Sequence, residues 1–190
     1  MEEILQDYIT DNENPIYNFE LGLEYEKEGQ TSSAISFFLR CAERTTESDP
    51  DLSYESLIHM GDCYDTQTGR SRTVKSCWRK ALAMLPERPE AYYKMCRLHN
   101  WNAEYDEAYV FSCLALNFCD FNSKPLKDNI NVSTYKIYLL FEKALSSWWW
   151  GKVDESKETF LNLYQNHFEE LPQYQKNITY EYLKDKLKVI

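Results

Sequence analysis

The sequence predicts an all-α fold built from consecutive helix pairs. Three observations support this: a recurring motif of small and aromatic residues, apolar stripes at helical spacing, and a glycine content of only 5 in 190 residues. So few glycines argue against Rossmann, P-loop and hairpin-rich folds, which need glycine in turns and phosphate loops. A hydrophobic fraction of 43% is enough for a substantial core, and we expect one domain over residues 1–190.

The first helix pair is predicted over residues 15–46. Its defining residues are Leu21, Gly22, Tyr25, Gly29, Ala34 and Phe38. Gly22 and Ala34 are small, as is required where two helices approach closely. Gly29 lies where the first helix must end and the chain reverse, a position that favours a positive φ.

The second pair is predicted over residues 54–86. It repeats the series as Met60, Gly61, Tyr64, Gly69, Val74, Trp78, Ala81 and Pro86. Gly61 follows Gly22 by 39 residues, and we assign this excess length to a loop over residues 45–51.

Two weaker copies and a final helix complete the chain. The third copy, over residues 89–120, has Tyr92, Met95, Cys96, His99, Ala103, Ala108 and Ala115. The fourth, over residues 137–168, has Leu140, Ala144, Gly151, Phe160 and Leu163. We expect a long loop around residues 119–133 and a capping helix over residues 172–188, because a repeat array needs its exposed apolar end covered.

These residues resemble the tetratricopeptide repeat (TPR), in which leucine-glycine is followed by tyrosine and then by alanine, phenylalanine and proline. The third copy departs from the pattern with Ser112 at the phenylalanine site, and the fourth with Lys143 at the leucine site. The resemblance implies a right-handed α-solenoid of about four helix-turn-helix repeats with a C-terminal capping helix.

The resemblance also implies a binding surface, since the first helices of such repeats line a concave groove that holds peptides. The residues predicted to line it are Phe19, Leu23, Asp62, Tyr93, Arg97, Trp101 and Trp148. This lining lacks the lysine and asparagine clamp with which some TPR co-chaperones hold a terminal carboxylate. An aromatic or basic peptide, or a neighbouring protein domain, is therefore the predicted partner.

Charge and cysteine content restrict the classes of partner and the cellular compartment that the sequence predicts. The net charge of −10 disfavours binding to nucleic acid or to an anionic membrane surface. The N-terminal residues lack a basic start and an apolar run, which predicts a cytoplasmic protein without a signal peptide. In that compartment the six cysteines are expected to be free thiols.

No catalytic residue, cofactor or metal site is predicted. His59 and Cys63 can share one face of a helix, but two ligands do not make a zinc site. The acidic triplet at residues 49–51 matches the D-x-D motif of glycosyltransferases, yet that motif needs an α/β nucleotide-binding domain around it, which this sequence does not suggest.

Trp148, Trp149 and Trp150 are the most unusual local feature. Three adjacent helical positions point in directions about 100° apart, so the three side chains cannot all enter one core. Burial beneath the capping helix and exposure as a binding surface both stay open.

The leading functional hypothesis is a non-enzymatic scaffold for protein–protein interaction. Residues 14–22, 36–44, 88–92 and 147–152 are also similar to TPR segments found beside family 2 glycosyltransferases in large phages and viruses. That similarity implies an alternative role as an accessory segment of a glycosyltransferase system. A third hypothesis is a structural array that self-associates through the Trp148–Trp150 region.

Overall fold

The computed structural model describes residues 2–127 and 131–189, and the regular elements in these ranges are all helical. The helices are α1 (Glu2–Thr10), α2 (Pro15–Lys27), α3 (Thr31–Thr45), α4 (Pro50–Asp65), α5 (Ser71–Met84), α6 (Pro89–Trp101), α7 (Tyr105–Phe118), α8 (Val132–Trp149), α9 (Val153–Asn166) and α10 (Gln173–Glu181). A 3-10 helix at Phe168–Glu170 precedes α10, and a π-helical turn at Tyr182–Lys186 follows it. The predicted all-α fold is confirmed. None of the helices in the described ranges has the length and apolarity needed to cross a membrane.

Three first helices of the pairs, α2, α4 and α8, start at residues whose side chains cap them. The side chain of Asn14 accepts a hydrogen bond of 3.0 Å from the backbone N–H two residues ahead, at the start of α2. Asp49 caps α4 in the same way, with 3.1 Å to the N–H three residues ahead. The acidic triplet at residues 49–51 is therefore a helix start.

Two helices begin earlier than predicted. α4 starts at Pro50 and α8 at Val132, and not at residues 54 and 137. The predicted loop over residues 45–51 is thus wrong at both of its ends, because the extra residues lengthen α4 to 16 residues against 13 in α2. The loop predicted over residues 119–133 ends at Asn131, and its residues 128–130 lie outside the described ranges.

Two compact units, Met1–Pro86 and Glu87–Ile190, make up the chain. In the first unit, α3 packs against both α2 and α4, and α4 packs against α5. A Cβ atom placed on Gly22 would lie 2.6 Å from the Phe38 ring, and one on Gly61 would overlap the indole of Trp78. The predicted close approach of paired helices at the small residues is confirmed.

The helix α1 was not predicted and packs on the first unit from outside. Its tyrosine Tyr8 contacts the ring of Phe37 edge to face at 5.5 Å between centroids. None of its described side chains is buried. Such a short helix without small packing positions carries no repeat signal in the sequence.

In the second unit, α7 packs against α6 and α8, α6 packs directly against α8, and α8 packs against α9. The C-terminal segment covers the end of this stack, because Leu171, Tyr182 and Leu183 join a buried cluster with Phe141 and Phe160. The predicted capping role of the C-terminal helix is confirmed.

Each helix pair reverses direction through a residue in the left-handed region. Gly29, Gly69 and Gly151 have φ angles of 73°, 79° and 83°. The third pair lacks the glycine and uses Ala103 at φ 58° instead. The expectation of positive φ at Gly29 and Gly69 is confirmed.

Candidate partner-binding surface

Aromatic residues of α6 and α8 meet around Tyr93. The centroid of its ring lies 5.3 Å from that of Tyr138 and 5.6 Å from that of Tyr135. The guanidinium carbon of Arg97 lies 5.6 Å from the same ring centroid. We call Tyr93, Arg97, Trp101 and Tyr138 the α6–α8 surface.

The spacing of residues along α6 explains why three of them share a face. Positions 93, 97 and 101 follow one another at intervals of four, so their side chains lie above one another on the helix. Met95, Cys96 and His99 lie between them and are buried. Trp101 is 88% exposed, so its indole is available to a partner.

A buried carboxyl group lies behind this face. Glu142 of α8 is 4% exposed, and the amide nitrogen of Asn100 donates to its Oε2 at 2.8 Å and to its backbone oxygen at 3.1 Å. Burial raises the pKa of Glu142 to about 7, although the hydrogen bond from Asn100 and the charge of Arg97 act in the opposite direction. Burial also raises the pKa of Tyr93, whose phenol therefore stays neutral at physiological pH.

Three predicted groove residues belong to the first unit, and one of these predictions is wrong. Phe19 is 0% exposed, with its ring centroid 5.6 Å from Phe38 and 5.8 Å from the ring of His59. It faces α4 within the core and so cannot touch a ligand in this structure. Leu23 and Asp62 are partly exposed, and their role in binding stays a prediction.

Asp62 lies in a polar cluster that joins α2 to α4. The Nδ1 atom of His59 is 2.8 Å from Oε2 of Glu26, and the thiol of Cys63 donates to Oε1 of the same carboxylate at 3.6 Å. Burial works against a charge on His59, but the hydrogen bond and charge of Glu26, together with the charges of Asp62 and Glu55, outweigh it, so the pKa of His59 is raised. Glu26 is the partner that sequence spacing could not supply, because it comes from the preceding repeat.

The three consecutive tryptophans diverge, as the sequence predicts. Trp148 is partly buried beneath the C-terminal cap, with its ring centroid 5.7 Å from that of Tyr182. Trp149 and Trp150 are 56% and 44% exposed, and each packs on a tyrosine of α7 at centroid distances of 5.7 and 4.9 Å. Trp148 therefore contributes mainly to packing, whereas its two neighbours stay accessible.

A cleft of about 490 Å³ opens elsewhere in the first unit. It lies between the second helices α3 and α5, with the first helix α4 beneath, and its lining includes none of the residues predicted to bind a partner. Its lining residues are Leu39, Ala42, Glu43, Thr46, Ser53, Leu57, Lys80, Ala83 and Met84.

Sequence reasoning missed the part of the α6–α8 surface that comes from α8. From α8 the sequence predicts Trp148 instead of Tyr138, because the fourth copy has the least regular register and the position of its groove residues is hard to assign. Tyr138 and Glu142 are four residues apart, the same spacing as Tyr93 and Arg97, and this correspondence was the available signal.

Comparison with solved structures identifies the fold. YrrB, described as a TPR protein with an unusual peptide-binding site, matches with a TM-score of 0.62 at 16% identity, over 97% of this chain and 86% of its own. The MamA MSR-1 structure matches with a TM-score of 0.55 at 15% identity, over 92% and 90%. The MamA AMB-1 structure gives 0.56 at 17% identity, over 94% and 88%. The chain therefore has the fold of an α-solenoid of TPR repeats.

No protein-family model matches the sequence, and the comparison with curated proteins finds no match. The similarity to TPR proteins is thus a similarity of structure at low sequence identity.

Proposed function

We propose that this chain is a non-enzymatic scaffold that binds an extended segment of a partner protein on the α6–α8 surface. The observation that carries the proposal is the exposed Trp101 in line with Arg97 and Tyr93 on one face of α6. Tryptophan, tyrosine and arginine are the residue types that contribute most to binding energy at protein interfaces. The peptide-binding site named for YrrB supports a role of the same kind.

The chemistry of the surface favours a segment with aromatic and basic side chains. The faces of Trp101 and Tyr138 can accept a lysine or arginine through cation–π contact, or stack on another aromatic ring. The net charge of −10 also attracts a basic segment from a distance. Leu23 and Asp62 of the first unit stay predictions from the sequence, and the proposal does not depend on them.

A displayed peptide library tests this proposal on the full chain. Peptides selected for binding are titrated against the native protein, the double variant Tyr93→Ala/Arg97→Ala and the single variant Trp101→Ala. We expect each variant to weaken binding by about tenfold or more, which corresponds to about 1.4 kcal/mol. Phe118→Ala is the matched control, because this aromatic residue is 71% exposed on α7 and is not part of the α6–α8 surface.

Two outcomes would count against the proposal. Selected peptides that bind the native chain and both surface variants equally would place binding elsewhere, first at the cleft between α3 and α5. A library in which no peptide is enriched would argue against binding of extended segments.

A second proposal is self-association through the Trp148–Trp150 region, supported by the exposure of Trp149 and Trp150 side by side at the end of α8. Sedimentation velocity of the native chain should then show concentration-dependent association that Trp149→Ala/Trp150→Ala abolishes. Monomers at every concentration would exclude it.

Two further predictions from the sequence, the accessory role and the cellular location, also stay proposals. The accessory role in a glycosyltransferase system rests on the sequence resemblance, and copurification of a family 2 glycosyltransferase with the tagged chain would support it. The cytoplasmic location is supported by the six free cysteines, which suit a reducing compartment.

A further inference from the structure

A histidine and two carboxylates converge in the first unit. Glu26 comes from α2, and His59 and Asp62 come from α4. One donor atom from each of the three residues lies within 4.8 Å of the other two. The spacing of three residues between His59 and Asp62 puts both on one face of α4, opposite Glu26.

Packing fixes the imidazole of this cluster. The ring of His59 stacks on Phe38 at 5.1 Å with an interplanar angle of 17°, and Phe19 contacts it edge to face at 5.8 Å. The side chain of His59 is only 13% exposed. These contacts fix the position and the plane of the imidazole ring, with its Nδ1 atom towards Glu26.

The carboxylate of Glu26 is oriented from its other side. Its Oε2 lies 2.8 Å from Nδ1 of His59, while its Oε1 accepts the hydrogen bond from the thiol of Cys63. Outer contacts of this kind hold metal-binding carboxylates in place. Asp62 is partly exposed, so the cluster is open to solvent on one side.

We propose that Glu26, His59 and Asp62 form a binding site for a divalent transition-metal ion of the zinc class. Imidazole nitrogen and carboxylate oxygen are both zinc donors, and two carboxylates balance the charge of the ion. Donors about 2.1 Å from a tetrahedral ion are about 3.4 Å apart, a separation that small rotations of the two carboxylates can reach. The fourth position faces solvent, where water or a side chain of a partner can bind.

The alternative to a metal site is that His59 and Glu26 form an ion pair and bind no metal. The two possibilities differ in the role of Asp62. An ion pair does not need Asp62, whereas a three-donor metal site loses a ligand when Asp62 is changed.

Calorimetric titration of the full chain with Zn²⁺ distinguishes these possibilities. The native protein should bind one ion per chain, and Asp62→Asn should weaken binding by at least about tenfold. Glu26→Gln serves as a second conservative variant, and circular dichroism confirms that each variant is folded. The matched control is Glu170→Gln at the His167–Glu170 pair, which has a similar separation of 2.9 Å but no third donor among the described residues.

The six cysteines require a second measurement, because free thiols also bind zinc. The visible spectrum of the chain loaded with Co²⁺ should show no thiolate-to-metal charge-transfer band. Such a band would place the metal on cysteine and overturn the proposal. Absence of stoichiometric Zn²⁺ binding to the native chain, or native affinity in either Asp62→Asn or Glu26→Gln, would also overturn it.

Discussion

The two units have different residues where their paired helices approach most closely. In the first unit, glycine faces a large aromatic ring where the paired helices approach, as Gly22 does with Phe38 and Gly61 with Trp78. At the corresponding positions of the second unit, the third pair has Cys96 and Ser112, and the fourth has Ala144 and Phe160. All four of these residues are buried.

The third pair compensates in volume, because a larger residue at the glycine site, Cys96, accompanies a smaller one at the aromatic site, Ser112. The fourth pair does not compensate, since Ala144 replaces the glycine while a large ring, Phe160, is kept. Interiors pack densely, so enlarging one residue within an otherwise unchanged helix pair is destabilising. The repeat motif is consequently easier to recognise in the first unit. The exposed residues proposed to bind a partner lie in the second.

The substitution Gly61→Ala should cause the largest loss of stability among the tests of this comparison. The added methyl group would overlap the Trp78 indole, whose N–H donates to the backbone oxygen of Ile58 at 3.3 Å. We expect a loss of about 3 kcal/mol in the free energy of unfolding, measured by urea denaturation followed by circular dichroism. The reverse change in the second unit, Ala144→Gly, should cost about 1 kcal/mol. Equal effects of the two substitutions would contradict the proposed difference.

The substitution Glu142→Gln should reveal the buried carboxyl group of the second unit. The folded-state pKa of about 7 exceeds the ordinary value of 4.5, so Glu142 stabilises the fold below pH 4.5 and loses this contribution as the pH rises through 7. The glutamine variant should therefore be more stable than the native chain at pH 8, by about 2 kcal/mol, and similar to it at pH 5. Thermal unfolding at both pH values measures the difference, and a pH-independent difference would show that ionisation of Glu142 is not its source.

Substitution at the turn of the third pair should have a smaller effect on stability. Ala103 has φ 58°, a conformation that costs an alanine about 1 kcal/mol and a glycine almost nothing. Ala103→Gly should raise the free energy of unfolding by about 0.5–1 kcal/mol. Gly151→Ala, at φ 83° in the fourth pair, should lower it by a similar amount. Destabilisation by the first change would mean that the alanine methyl group contributes more to stability than the backbone strain costs.

The helix α1 should give the smallest effect. The hydroxyl of Tyr8 accepts a hydrogen bond from Arg40 at 2.8 Å, but Arg40 is exposed and Tyr8 is only partly buried. Tyr8→Phe should change the free energy of unfolding by no more than about 0.5 kcal/mol. A loss above about 1 kcal/mol would show that α1 contributes to the stability of the first unit more than its exposure suggests.

The sequence predicted the helix pairs well because their determinants are local. Left-handed turns at Gly29 and Gly69 and prolines at helix starts act within a few residues, and the small residues at Gly22 and Gly61 act within one helix pair. Boundaries were less accurate: α4 and α8 extend upstream by about one turn because a capping residue, and not the repeat register, sets where they begin.

Individual binding residues were harder to predict because burial depends on the neighbouring repeat. Phe19 follows the register of a groove residue, yet α4 covers it through His59. The cluster of Glu26, His59 and Asp62 also combines residues of two repeats, so no spacing within one repeat reveals it. Tyr93, Arg97 and Trp101 were identified as a group because they share one face of one helix.

Hydrogen–deuterium exchange of the full chain, with and without a selected peptide, tests the central claim most directly. The account predicts that the peptide slows exchange in α6 and α8, and that Trp101→Ala removes this protection at the same peptide concentration. Protection confined to α3, α4 and α5 around the cleft would contradict the account, because it would place partner binding in the first unit and on the second helices.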